Sequence, residues 1–328
     1  MADDRINLMK RMGDKKYMKQ EDEIRELKRK KNAIILAHYY QTADIQDIAD
    51  FIGDSLALSQ KAAVNDADII LFAGVRFMAE TAKILAPDKK VLIPDMDAGC
   101  SLADSCDPVQ FGKFIRDNPG RTVVTYVNSN IDIKVMSDIT CTSTNAVEII
   151  ESLPEEEKIL FGPDRNLGNY ILNRTGRDIV VWNGACHVHE EFSLESILEL
   201  RKQNPGAKVI VHPECELPVR MIADFIGSTA ALLKFTSSDS SDSFIVATEP
   251  GIIHQMIKKN PGKRFIPAPP KDSTCGCSEC NFMKMITLEK IYKCLRDEEP
   301  VIEIDREMLL KARKPIIRMM EISEKLGL

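Results

Sequence analysis

The sequence has no apolar run near the roughly 18 residues that a membrane-spanning helix needs. Its opening stretch, M-A-D-D-R-I-N, is charged where a secretion signal would be apolar. Membrane and secreted proteins are therefore disfavoured, and the expected home is the cytoplasm. Basic charge is lacking too, since 44 Lys and Arg stand against 50 Asp and Glu for a net charge of -6. Duplex nucleic-acid binders usually carry a strongly basic face, so nucleic acid is not an expected partner, and any anionic ligand must be held by local features. Nine cysteines is an odd number, and a long chain without a secretion signal is a poor disulfide scaffold. Some of these thiols read better as metal ligands. With 44% hydrophobic and 29% charged residues, the 328-residue chain has material for two or three packed cores.

The chain repeats itself. The hexapeptide I-A-D-F-I-G occurs at 48–53 and again at 222–227, 174 residues on. A middle copy fits at S-D-I-T-C-T-S (137–143), with Asp138 opposite Asp50 and Asp224, at steps of 88 and 86 residues. The same steps align I-I-L-A-H-Y-Y (34–40), T-V-V-T-Y-V-N (122–128) and K-V-I-V-H-P-E (208–214), short β-rich runs with polar ends. His38, Tyr126 and His212 then share one position, and Tyr40, Asn128 and Glu214 share another. Asp54-Ser55, Thr142-Ser143 and Ser228-Thr229 follow, where helix N-caps are expected. Two further apolar runs complete each copy. Strands alternating with helical segments at this spacing predict βαβ units. The expected fold is α/β, with three pseudo-threefold-related small domains and parallel sheets around a central cavity. The expected boundaries are 1–117, 118–204 and 205–283, with helices in 284–328 packing on the repeat core. The basic run Lys28 to Lys31 reads as a solvated face.

Each repeat ends its third apolar run in a cysteine-bearing loop: D-M-D-A-G-C-S at Cys100, W-N-G-A-C-H-V-H at Cys186, and C-G-C-S-E-C at Cys275 to Cys280. In open parallel sheets, ligands gather outside the carboxyl ends of the strands. The three loops and the polar strand ends are therefore expected to face one cavity. The C-x-C-x-x-C spacing suits zinc and iron–sulfur chemistry equally. A zinc-thiolate structural or regulatory protein, and a zinc-dependent hydrolase or lyase, stay open on these residues alone. Cys106, Cys141, Cys215 and Cys294 read as buried apolar thiols. His38, His187, His189 and His212 fall in the cavity-facing segments, and His254 does not.

The segments A-H-Y-Y-Q, G-D-S-L-A-L-S, D-A-G-C-S-L-A-D-S-C, T-Y-V-N-S, C-T-S-T-N-A, F-G-P-D-R-N-L-G, G-A-C-H-V-H-E-E-F, H-P-E-C and G-S-T, in that order, resemble the quinolinate synthase family over roughly 33 to 295. The resemblance implies condensation of iminoaspartate with dihydroxyacetone phosphate to quinolinate, with loss of phosphate and water, in NAD biosynthesis. It implies a 4Fe-4S cluster held by Cys100, Cys186 and Cys280, leaving one open iron as a Lewis acid, while Cys275 and Cys277 stay unassigned. Glu214, Tyr40, His38 and His212 are the implied proton-transfer groups. Substrate contacts are implied for His38, Ser55, Tyr126, Asn128, Ser143, His189, His212, Glu214, Ser228 and Thr229. L-Aspartate oxidase or aspartate dehydrogenase would supply the iminoaspartate. A buried carboxylate among bound anions is also expected to titrate upward, which would make Glu214 a proton carrier near neutral pH.

Overall fold

The computed structural model describes residues 19–272 and 278–328. Among them, twelve strands form three four-stranded sheets in which all pairings are parallel. The first sheet holds β1 (Ala33–His38), β2 (Phe51–Gly53), β3 (Ile69–Ala73) and β4 (Lys90–Leu92) in the order β2-β1-β3-β4. The second holds β5 (Thr122–Tyr126), β6 (Ile139–Cys141), β7 (Ile159–Gly162) and β8 (Ile179–Val181), ordered β6-β5-β7-β8. The third holds β9 (Lys208–Val211), β10 (Phe225–Ile226), β11 (Ser243–Ala247) and β12 (Arg264–Pro267), ordered β10-β9-β11-β12. This is the expected α/β class in three parallel-sheet units. The sequence predicts three strands per unit and there are four. The extra one is the edge strand on the repeated hexapeptide or its middle counterpart, only two or three residues long. Such a strand is too short to display a period of two.

The hexapeptide's aspartate explains why this segment recurs. Asp50, Asp138 and Asp224 accept a hydrogen bond from the backbone N–H of Ile35, Val123 and Val209 at 2.7, 2.8 and 2.7 Å. Each returns its own N–H to the carbonyl of that same residue. A side chain thus seals the start of each edge strand against the strand beside it.

Central strands are apolar because helices cover both faces. Phe72 on β3 and Phe161 on β7 are 2% and 0% exposed, and each such burial is worth roughly 1.5–3 kcal/mol. One apolar cluster runs through the first two units and the C-terminal helices, whereas the third unit has separate clusters of its own. The long helix Arg306–Leu326 packs on β6 and on the helices Arg76–Leu85 and Ile131–Val135. It therefore bridges the first and second units. The basic run differs from expectation. Lys28 pairs with Asp50 and Lys31 with Glu298, so half of it ties the N-terminal helix (19–30) to the body.

Candidate functional site

Local structure places the three cysteines alike. Cys100, Cys186 and Cys280 are each the N-cap residue of a four-residue helix: Ser101–Asp104, His187–Glu190 and Asn281–Lys284. The first-turn amides of Ala103 and Leu102 at Cys100, of His189 at Cys186, and of Met283 and Phe282 at Cys280 favour the thiolate, without closing a cap hydrogen bond to sulfur. All three cysteines line one cavity where the units meet. Burial pushes the Cys100 thiol up to about 12 and Cys280 up to about 11, and raises Cys186 as well. A metal needs the thiolate and stabilises it. Three thiols at helix starts, one per unit and all on one cavity, fit an iron–sulfur group. Cys275 and Cys277 lie outside the described residues.

The strand ends complete the wall. His38 and His212 each accept a backbone N–H on Nδ1, from Tyr40 at 3.2 Å and Glu214 at 3.3 Å. That fixes the neutral tautomer that carries its proton on Nε2. Burial pushes both rings down to about 3, so they are neutral donors near neutral pH. His212 Nε2 lies 3.2 Å from Ser143 Oγ. The Tyr40 hydroxyl sits 2.9 Å from Thr229 Oγ1 and 2.8 Å from Thr248 Oγ1, and burial raises its pKa.

Glu214, 2% exposed, departs from expectation. Burial does push its carboxyl up, but this is outweighed by the histidines facing it, chiefly His189 with Nδ1 2.9 Å away, and by the Tyr126 hydroxyl donating at 2.6 Å. Glu214 is held below the usual carboxylate range and is ionised at neutral pH, not a near-neutral acid. His189 Nδ1 is also 3.3 Å from Cys186 Sγ. Ligand atoms of Cys186, His189 and Glu214 fall within 4.8 Å of one another, a set that a single metal ion could also use.

Ser55, Asn128, Ser143 and Thr229 line the same cavity. Asn128 Oδ1 is buried on the cavity wall without a hydrogen-bond partner among the described residues. The caps differ in detail from expectation. Asp54 and Ser228 are the N-caps, accepting from Ala57 and Ala231, while Ser55 and Thr229 are first helical residues. Ser143 precedes its helix, whose N-cap is Asn145. Ser228 faces an adjoining pocket and Thr144 Oγ1 at 2.8 Å, and does not line the central cavity. His187 turns away to Ser101 Oγ at 2.6 Å, and His254 pairs with Asp47. Cys106, Cys141, Cys215 and Cys294 are buried in the apolar clusters.

Sequence reasoning misses Thr248, Glu249, Asp164 and Lys134. Lys134 is fully buried, donates to the Ser129 carbonyl and lies over the Phe77 ring. Burial pushes its ammonium down to about 8, against the pull of Glu80 and Cys100. Repeat alignment held the signal: Lys134 falls 88 residues after Gln46 and 86 before Arg220, and all three are buried polar side chains.

The family model for "Quinolinate synthetase A protein" matches residues 22–321. The quinolinate synthase of Thermosynechococcus vestitus is 57% identical over 300 residues, 92% of this chain and 94% of the relative. That of Microcystis aeruginosa is 58% identical over 300 residues, with the same 92% and 94% coverage. That of a Synechococcus species is 57% identical over 297 residues, 90% of this chain and 93% of the relative.

Proposed function

The chain belongs to the quinolinate synthetase A protein family, and from that premise we propose that its central cavity joins iminoaspartate to dihydroxyacetone phosphate around a 4Fe-4S cluster on Cys100, Cys186 and Cys280. It is an enzyme of quinolinate synthesis, serving NAD biosynthesis, and its substrates are small molecules. No helix among the described residues is long and apolar enough to cross a membrane. The observation that carries the proposal is the arrival of one cysteine from each repeat, each at the start of a short helix, at the cavity that holds Glu214.

When bound, such a cluster supplies an iron that can act as a Lewis acid toward a substrate oxygen or nitrogen. The rest falls to side chains. Glu214, ionised beside Tyr126 and His189, accepts a proton from a substrate carbon or nitrogen. Tyr40 returns protons through its hydroxyl, which Thr229 and Thr248 hold in place. His38 and His212 donate from Nε2 to developing negative charge without adding a cation of their own. The hydroxyls of Ser55, Ser143 and Thr229 and the amides at the helix starts bind carboxylate and phosphate, which reconciles an acidic protein with anionic substrates.

Anaerobic purification, metal analysis and a quinolinate assay with both substrates test this. The expected result is a brown protein with about four irons per chain, which forms quinolinate. Cys100→Ser, Cys186→Ser and Cys280→Ser should each lose most of the iron, whereas Cys106→Ser and Cys294→Ser keep it. A colourless, zinc-loaded protein would overturn the proposal in favour of a single ion at Cys186, His189 and Glu214.

A further inference from the structure

Asp164 and Glu249 occupy the same place in the second and third units, two residues past β7 and β11. Both are 0% exposed. Each spends one carboxylate oxygen on its own turn and extends the other to a distant cysteine loop. Asp164 Oδ1 accepts from the Leu167 N–H at 2.7 Å, and Oδ2 accepts from the Cys186 N–H at 3.3 Å. Glu249 Oε2 accepts from the Gly251 N–H at 2.7 Å, and Oε1 accepts from the Cys280 N–H at 3.4 Å. In the first unit the corresponding residue is the apolar Val75, two residues past β3.

Carboxylates buried beside a set of thiols are costly unless a cation offsets them. Glu249 has Lys284, whose Nζ is 2.7 Å from Oε1 and also donates to the Tyr40 carbonyl at 2.7 Å. Lys284 ends the short helix that Cys280 begins, so ion pair and amide contact grip that helix at both ends. The space there is tight, because a Cβ on Gly251 would come within 2.8 Å of the Tyr40 backbone. Asp164 relies on backbone N–H groups instead, and burial still raises its carboxyl pKa; Arg220, 6% exposed and lying over the Tyr170 ring, acts on it only electrostatically.

We propose that Asp164 and Glu249 are positioning residues that orient the Cys186 and Cys280 loops through their backbone amides and so keep the cluster's iron in place. This rests on the cluster reading above. It assigns the two carboxylates no contact with substrate.

The test compares the iron-loaded unaltered chain with two pairs of variants. Asp164→Asn and Glu249→Gln keep an acceptor oxygen, whereas Asp164→Val and Glu249→Leu imitate the first unit. Iron release to a chelator, EPR of the reduced protein and thermal melting are recorded under anaerobic conditions. The apolar variants should release iron about 10- to 100-fold faster, the usual scale for groups supporting a metal ligand, and the amide variants, which keep one of the two acceptors, should fall between them and the unaltered chain. Apolar variants that fold and release iron at the unaltered rate would overturn the proposal, as would amide variants leakier than the apolar ones. A measurement without substitution covers a failure to fold. The Cys186 and Cys280 amides should exchange hydrogen more slowly than the Cys100 amide in the unaltered protein, and equal rates would count against the anchors. An unaltered chain that holds no iron would overturn the cluster reading and the anchors together, whereas indifferent variants of an iron-loaded chain overturn the anchors alone.

Discussion

Glu214 shows how far one residue's chemistry depends on its neighbours. Burial alone would make it a proton carrier near neutral pH, yet a phenol and an imidazole both donate to it, and the charged form wins. It is therefore a base in the resting site. Glu214→Gln preserves shape and removes the base, so turnover should fall by about two to four orders of magnitude while iron content stays unchanged, as steady-state quinolinate assays and metal analysis would show. Ser143→Ala should behave differently, raising KM more than it lowers kcat, as the proposed binding role of a hydroxyl 3.2 Å from His212 Nε2 requires. Equal losses of kcat in both variants would contradict this division of roles.

Among the elements, the short edge strands depend most on a single side chain. Asp138 closes β6 onto β5 with a side-chain acceptor and a backbone donor to the same residue, Val123. The aspartate is solvent-exposed, which moderates what the bond contributes. Asp138→Ala should cost about 1 kcal/mol and Asp138→Asn less, read from urea midpoints. Strand β6 carries Cys141 next to Thr142 and Ser143, so the alanine variant should also weaken substrate binding. The cysteine helices are elements of a different kind. Four residues are too few to persist alone, and each is kept by the unit that supports it.

On the scale of the whole molecule, three polar strand ends are buried together, and their titration links the site to stability. His38 and His212 are held near 3, below their ordinary 6.5. The unfolded chain therefore binds more protons than the folded one between those values, and stability falls as pH falls from about 6.5 toward 3. Each ring can contribute up to about 1.4 kcal/mol per pH unit in that window. Urea unfolding of the metal-free chain should show midpoints that fall with acidification, with a shallower slope for His212→Gln. A slope unchanged by the substitution would mean that His212 is not buried as a neutral ring.

The repeat register, the α/β class and the three cysteine loops were legible because they rest on local pattern. An apolar run followed by polar residues recurs at steps of 88 and 86, and such spacing survives in one dimension. His38, Tyr126 and Glu214 could be named for the same reason, since the first two end aligned strands and Glu214 follows the third by three residues. The caps at Asp54 and Ser228 fell within the expected pairs, whereas the four-strand sheets, the middle cap at Asn145 and the turning away of His187 were not legible, because each depends on which atoms meet after folding. Asp164 and Glu249 are the clearest case. They reach cysteines 22 and 31 residues along the chain, and no local rule links a carboxylate to an amide at that distance. Sequence determined which residue types recur and at what spacing. Only the tertiary structure decided their charge states and partners, because desolvation and hydrogen bonding arise where segments remote in sequence exclude water together.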